Sequence, residues 1–142
     1  EKLQEILQDK WNDIAIRTYY AVVHGITKEE EVLKSYLIED KNLVTYSAKE
    51  GKLAITEYKR IKHNEKYSLL KINIKTGRRN QIRVQLKEIN HPIVGDSKYF
   101  KKDKEHKRMM LHASKLEITN PINKKVFVFE SKLDNSFNRL VE

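Results

Sequence analysis

Four cations fall within the nine residues Lys75-Thr76-Gly77-Arg78-Arg79-Asn80-Gln81-Ile82-Arg83, where a strand pattern passes through a glycine turn into a helical one. Backbone N–H groups at the start of a helix attract phosphate, and arginine adds planar, two-pronged donors. The chemistry this spacing suits is anion recognition, and solvated surface arginines are the plain alternative. Arg83 differs from its neighbours, because it lies between Ile82 and Val84 at the margin of the apolar stripe. A guanidinium held there needs an anion to offset its desolvation. Either a structural salt bridge or an arginine that positions a carboxylate or phosphate would meet that need.

Two adjacent tyrosines, Tyr19 and Tyr20, sit in the β-branched and aromatic run TYYAVV. On alternating strand faces the two point opposite ways, and by their residue type alone either is more often core than catalytic. Lys101, Lys102, Lys104, Lys107 and Arg108 form a basic excursion able to grip a phosphate backbone or simply to stay solvated. The histidines at 24, 63, 91, 106 and 112 make no i, i+4 pair beside an acid, so a metal site is not expected. Cysteine is absent, which excludes disulfides, thiolate zinc sites and cysteine nucleophiles.

These residues must be positioned by a chain of 142 residues, a length that suits one domain with an ordinary hydrophobic core. Its 29 Lys+Arg against 20 Asp+Glu give a net charge of +9, the electrostatic footprint of a protein that meets polyphosphate. No uncharged apolar run approaches a membrane span and the first residues are charged and amphipathic, so a soluble, cytoplasmic protein is expected. The chain opens on Glu1 inside a helical pattern of Leu3, Ile6, Leu7, Trp11 and Ile14, as a sequence cut from a longer one would.

Strand patterns follow at Thr18–Val23, Leu33–Ile38, weakly at Asn42–Ser47, at Leu53–Ile61 and at Tyr67–Lys75. In the last of these Leu70, Ile72 and Ile74 share one face, with Lys71, Asn73 and Lys75 on the other. Ile82, Leu86 and Ile89 then set a helical period, predicting a short helix over Asn80–Glu88. Pro92, Gly95 and Asp96 mark a loop, and strands return at Met110–Ile118 and Lys125–Ser131 before a last helical turn at Asn135–Val141. The sum is an α+β domain, a mostly antiparallel or mixed β-sheet with a few segregated helices.

The order of segments TYYAVVHG, GKLAITEYK, LLKINIKTGRRNQIRVQL, HPIVGDSKY and MLHASKLEITNP resembles the C-terminal part of the catalytic domain of RluA-type RNA pseudouridine synthases. The likeness runs from about Ile16 to Ser131, and TGRxxQIR followed by HPIxGDxxY is its most specific part. It implies the pseudouridine synthase fold and an enzyme that cleaves the glycosidic bond of a uridine in ribosomal or transfer RNA. The base is then turned and rejoined through carbon, with no metal or organic cofactor. A carboxylate acts near C1′, and the uridine is flipped from its stack at a cost of a few kcal/mol.

The family pattern implies that Tyr19 stacks on the target base and assists proton transfer at C5. It makes Arg83 the partner of the catalytic aspartate, lowering its pKa. Lys75, Arg78, Arg79, Asn80, Gln81, Lys101, Lys102 and Lys104 are the expected RNA contacts. Asn80 stands where the family usually has histidine, and is expected to cap the helix and donate to phosphate. The family's HRLD-type segment, which carries the aspartate, has no counterpart among these residues. Only Asp96 falls in a family motif, as a structural turn. The expectation is therefore an inactive fragment with Arg83 lacking its partner and an apolar edge or face exposed. The competing class is a non-catalytic basic module that binds RNA.

Overall fold

The computed structural model describes residues 14–100 and 108–142. The expected first helix, with Leu3, Ile6, Leu7 and Trp11, and the cations Lys101, Lys102, Lys104 and Lys107 lie outside the described residues. Seven strands form one antiparallel sheet: β1 (Ala15–His24), β2 (Glu30–Glu39), β3 (Thr45–Ser47), β4 (Lys52–His63), β5 (Tyr67–Ile74), β6 (Leu111–Thr119) and β7 (Val126–Glu130). Two helices accompany it, α1 (Gln81–Glu88) and α2 (Asn135–Leu140). The strand order is β3-β2-β4-β5-β1-β6-β7, so the first strand is wedged between the fifth and the sixth.

Register decides which side chains meet. Arg17, Tyr19, Ala21 and Val23 of β1 stand opposite Ile74, Ile72, Leu70 and Ser68 of β5, and so share one face. The same face continues through Thr56 and Tyr58 of β4 to Leu33 and Glu31 of β2. Helix α1 lies on this face and buries Ile82, Val84 and Leu86, as its 3.6-residue period requires. The opposite face carries Tyr20 and Val22 beside His112 and Leu69. Phe137 of α2 is fully buried and meets the edge of the His112 ring at 6.1 Å between centroids.

The second helix explains a departure from the expected half-buried β5. At Ser68, Leu69 and Leu70 the strand is buried on both faces, and only beyond Lys71 does the polar side reach solvent. The weak strand at Asn42–Ser47 shortens to Thr45–Ser47 for a local reason. Asp40 accepts from the backbone N–H groups of Asn42 and Val44, and Leu43 is in the left-handed region at φ 63°, so a turn occupies the preceding residues.

Between α1 and β6 the chain crosses beside the end of β1, where Ile93 bridges Val23. The N–H of Val94 donates to Val22 O, and that of Met110 donates to Val94 O. Gly95, at φ +82°, makes this crossing possible, because a Cβ there would sit 2.0 Å from the Arg108 carbonyl oxygen. At the far edge every residue of β7 is exposed, and Val126, Phe127, Val128 and Phe129 present apolar side chains on both faces. The expected apolar edge is therefore present at β7.

Candidate active site

The turn into α1 is clamped to β4 by a buried polar network. Thr76 donates its hydroxyl to Gln81 Oε1 at 2.7 Å and accepts from the Ile55 N–H at 2.9 Å. Gln81 Nε2 donates to Ile55 O and to Thr56 Oγ1, and Thr56 in turn donates to Gln85 Oε1. Gln85 Nε2 closes the chain on Ser35 Oγ and Ala54 O. Such a network holds only when its members are satisfied, and here each amide is. The expected RNA contact at Gln81 is corrected on this ground: the residue is 2% exposed and its amide is spent inside the protein.

The other cations of the turn reach outward, and each has a partner on the sheet. Arg78 Nε donates to Leu53 O at 2.8 Å, Arg79 pairs with Glu39 at 2.5 Å, and Lys75 Nζ lies 3.9 Å from Glu57. The Lys75 and Arg79 pairs are largely exposed and worth about 0.2–1 kcal/mol each, so they leave these side chains available to other anions.

Arg83 is not without a partner, which corrects the expectation stated for it. Its Nε and Nη2 donate to the two oxygens of Asp96 at 2.9 and 2.7 Å, a two-pronged ion pair with the carboxylate 1% and the guanidinium side chain 19% exposed. The hydrogen bond to Asp96 raises the arginine's pKa against the opposing effect of burial. Asp96 is thus more than a turn residue. It also accepts from the backbone N–H of Tyr99 at 3.2 Å, and the Tyr99 ring lies under the guanidinium with 5.1 Å to its centroid.

Asn80 does not cap α1 with its side chain. The residue is in the left-handed region at φ 55°, and its amide turns inward instead. Nδ2 donates to the Tyr99 hydroxyl at 2.9 Å, and Oδ1 accepts a long 3.4 Å contact from Arg83 Nη1. The same hydroxyl accepts from the Thr45 N–H at 3.1 Å. Asn80, Arg83, Asp96 and Tyr99 therefore form one unit that ties the helix start to β3 and to the crossing loop.

Tyr19 is half-buried and lines a cleft of about 330 Å³ on the α1 face of the sheet. Arg17, Ala113, Leu116, Phe129 and Ser131 line it too. β6 bulges at Ser114, since Thr18 pairs with Lys115 and Tyr19 with Ala113; bulges of this kind re-aim side chains beside functional sites. Tyr20 faces the other way, toward Leu69 and Leu133. Arg83 is not among the described residues lining the Tyr19 cleft.

Sequence reasoning passed over Arg17. Its signal was a cation two positions before Tyr19 on the same strand face, and its guanidinium lies against Gly77 of the basic turn. His112 Nε2 sits 3.0 Å from the Ser131 carbonyl, with its ring against Phe137. Among the described residues no group of three or more His, Cys, Asp or Glu is placed to hold a metal. No described helix is long and apolar enough to cross a membrane.

The described aspartates all have structural duties. Asp40 holds its turn, Asp96 holds Arg83, and Asp134 accepts from the Ser136 N–H at the start of α2 and pairs with Arg108 at 2.6 Å.

Residues 1–88 match the family model described as RNA pseudouridylate synthase. The chain is 42% identical over 104 residues to an uncharacterized RNA pseudouridine synthase of Helicobacter pylori strain J99, covering 72% of this chain and 43% of that protein. It is 31% identical over 144 residues to tRNA pseudouridine synthase C of Salmonella typhimurium, covering 85% and 55%. With ribosomal large subunit pseudouridine synthase C of Buchnera aphidicola the identity is 34% over 140 residues, covering 89% and 44%. The chain spans about half the length of the curated relatives it matches.

In fold it resembles human RNA pseudouridylate synthase domain containing 1, with a TM-score of 0.80 and 19% identity over 98% of this chain and 62% of that one. With a match over residues 1–88 and relatives above 30% identity along most of its length, the chain belongs to the RNA pseudouridylate synthase family.

Proposed function

We propose that these 142 residues are the C-terminal part of a single catalytic domain that converts uridine to pseudouridine in ribosomal or transfer RNA in the cytoplasm. The observation that carries this reading is Tyr19, half-buried on the floor of an open cleft on the helix-bearing face, with a cationic turn beside it. A flipped uridine stacks on the ring, which holds the base while the C1′–N1 bond breaks and the C1′–C5 bond forms. The Tyr19 hydroxyl relays the proton displaced from C5, handing its own proton to water as it accepts that one, and N1 takes one up from solvent.

The carboxylate that acts at C1′ is supplied from outside the described residues, since Asp40, Asp96 and Asp134 are each engaged elsewhere. Arg83 meets it with Nη1, the nitrogen that Asp96 leaves open apart from the long Asn80 contact. Asp96 fixes the plane of the fork, so the second carboxylate docks at a predetermined angle. Arg78, Arg79 and Lys75 attract the RNA backbone in a salt-dependent way, as do Lys101, Lys102 and Lys104. Asn80 acts through Arg83 and Tyr99 in place of a direct phosphate contact.

The test is pseudouridine formation on bulk cellular RNA, read by nucleoside mass spectrometry. It compares this chain with one extended N-terminally to include an HRLD-type segment. Activity in the extended form alone is expected, lost in Tyr19→Ala and Arg83→Ala. Activity in the 142-residue chain by itself overturns the assignment of the carboxylate. If both forms bind RNA and neither acts on it, the chain is a basic RNA-binding module.

A further inference from the structure

We propose that Arg17 receives the phosphate adjoining the nucleotide seated on Tyr19, and that residue 77 is glycine because the Arg17 guanidinium occupies the space its side chain would need. This rests on the reading of Tyr19 as the base platform and adds a second point of attachment to it.

Gly77 does not owe its identity to backbone conformation. The glycines with positive φ are Gly25 and Gly95, and Gly77 is not one of them. A Cβ at residue 77 would instead lie 2.7 Å from Arg17 Nη1, with only the Cζ of the same side chain next, at 3.8 Å. One side chain thus accounts for the glycine of the basic turn. The turn and the strand are 60 residues apart in sequence, and this contact brings them to one place.

Arg17 and Tyr19 project from the same face of β1, opposite Ile74 and Ile72, and both line the same cleft. Two residues along a strand span about 6.7 Å, the scale of one nucleotide from base to phosphate. The guanidinium is half-buried, and burial lowers its pKa while the nearby Tyr19 acts in the opposite sense. The rest of the cleft is small or apolar, with Ala113, Leu116 and Phe129 along it, which suits the base and sugar and leaves the anion to Arg17.

The experiment titrates a fluorescein-labelled, uridine-rich RNA decamer into the 142-residue chain at several salt concentrations, with anisotropy as the readout. Arg17→Gln is expected to weaken binding and reduce the slope of log affinity against log salt by about 0.7, the loss of one phosphate contact on a single strand. Gly77→Ala is expected to reduce the slope by a similar amount although it removes no charge, because the new methyl displaces the guanidinium. Far-UV circular dichroism and thermal melting check that both variants keep the fold.

If Gly77→Ala binds with the wild-type slope, or Arg17→Gln leaves the slope unchanged, the proposal is wrong. Should one variant fail to fold, the other still decides. Loss of pseudouridine formation in every form, with the slope changes intact, would sink the synthase reading and leave the phosphate contact standing.

Discussion

Breaking the fork between Arg83 and Asp96 is the most informative single perturbation of this structure. Arg83→Met keeps the length of the side chain and the apolar stem along α1, and removes both donors from the Asp96 carboxylate. That carboxylate is 1% exposed and would be left with the 3.2 Å backbone N–H of Tyr99 as its remaining contact at Oδ1. Removing one partner of a buried pair costs about 3–5 kcal/mol, because the other charge stays buried without compensation. The Tyr99 ring also loses one of its two cations, Lys98 remaining at 5.5 Å from its centroid, a smaller effect of about 0.5–2 kcal/mol.

With a urea dependence of about 2 kcal/mol/M, the midpoint of equilibrium unfolding should fall by roughly 1.5–2.5 M. Far-UV circular dichroism on the purified chain reads this directly. The double variant Arg83→Met with Asp96→Asn should regain part of the loss, since the stranded charge is then gone, and this non-additivity identifies the pair as the cause. A midpoint shift below roughly 0.5 M, or a double variant as unstable as the sum of the singles, would refute the description of Asp96 as a buried ion held by Arg83.

Glycine substitutions should separate two kinds of close approach. Gly95→Ala is expected to abolish folding or cost about 3 kcal/mol or more, measured by thermal melting, because its Cβ would meet the Arg108 backbone at a positive φ, whereas Gly77→Ala meets only a movable side-chain tip and should melt near wild type. Tyr58 donates to Glu31 at 2.8 Å, and burial with that carboxylate pushes its pKa up to about 12. The protonated phenol is therefore favoured in the folded state, so its stabilisation is complete below pH 10 and is lost as pH rises from about 10 through about 12. Melts across that range should be steeper in wild type than in Tyr58→Phe, and parallel curves would exclude this titration. Phe127→Lys with Phe129→Lys should suppress concentration-dependent association at the β7 edge, checked by sedimentation, with little change in melting temperature.

Much of the architecture was legible because β4 alternates from Leu53 to Tyr58 and β5 from Leu70 to Ile74, and because Ile82 and Leu86 restart the pattern at helical spacing. What escaped were polar residues with buried duties. Gln81 read as an exposed RNA contact, yet it and Gln85 are buried because Thr56, Ile55 and Ala54 of a strand far back in sequence offer matching donors and acceptors. No local pattern announces such a match. Asp96 escaped for a similar reason: it lies 13 residues from Arg83, and only the left-handed turn at Gly95 aims it at the helix. The family motifs pointed to Tyr19 and Arg83, but the expectation that Arg83 lacks a partner overlooked Asp96, which the fold sets against it.

The placement of β1 between β5 and β6 sets a timetable for folding. Strands β2, β4 and β5 are neighbours joined by short turns, so they can assemble from local contacts alone. β1 must wait, because Thr18 pairs with Asn73, and Ala15 pairs with Ile118, more than a hundred residues downstream. During synthesis on the ribosome its second edge stays open until Leu111–Thr119 emerges, and both the Tyr19 cleft and the bulge at Ser114 are completed only then. The cleft lined by Tyr19 is thus among the last of the described features to form.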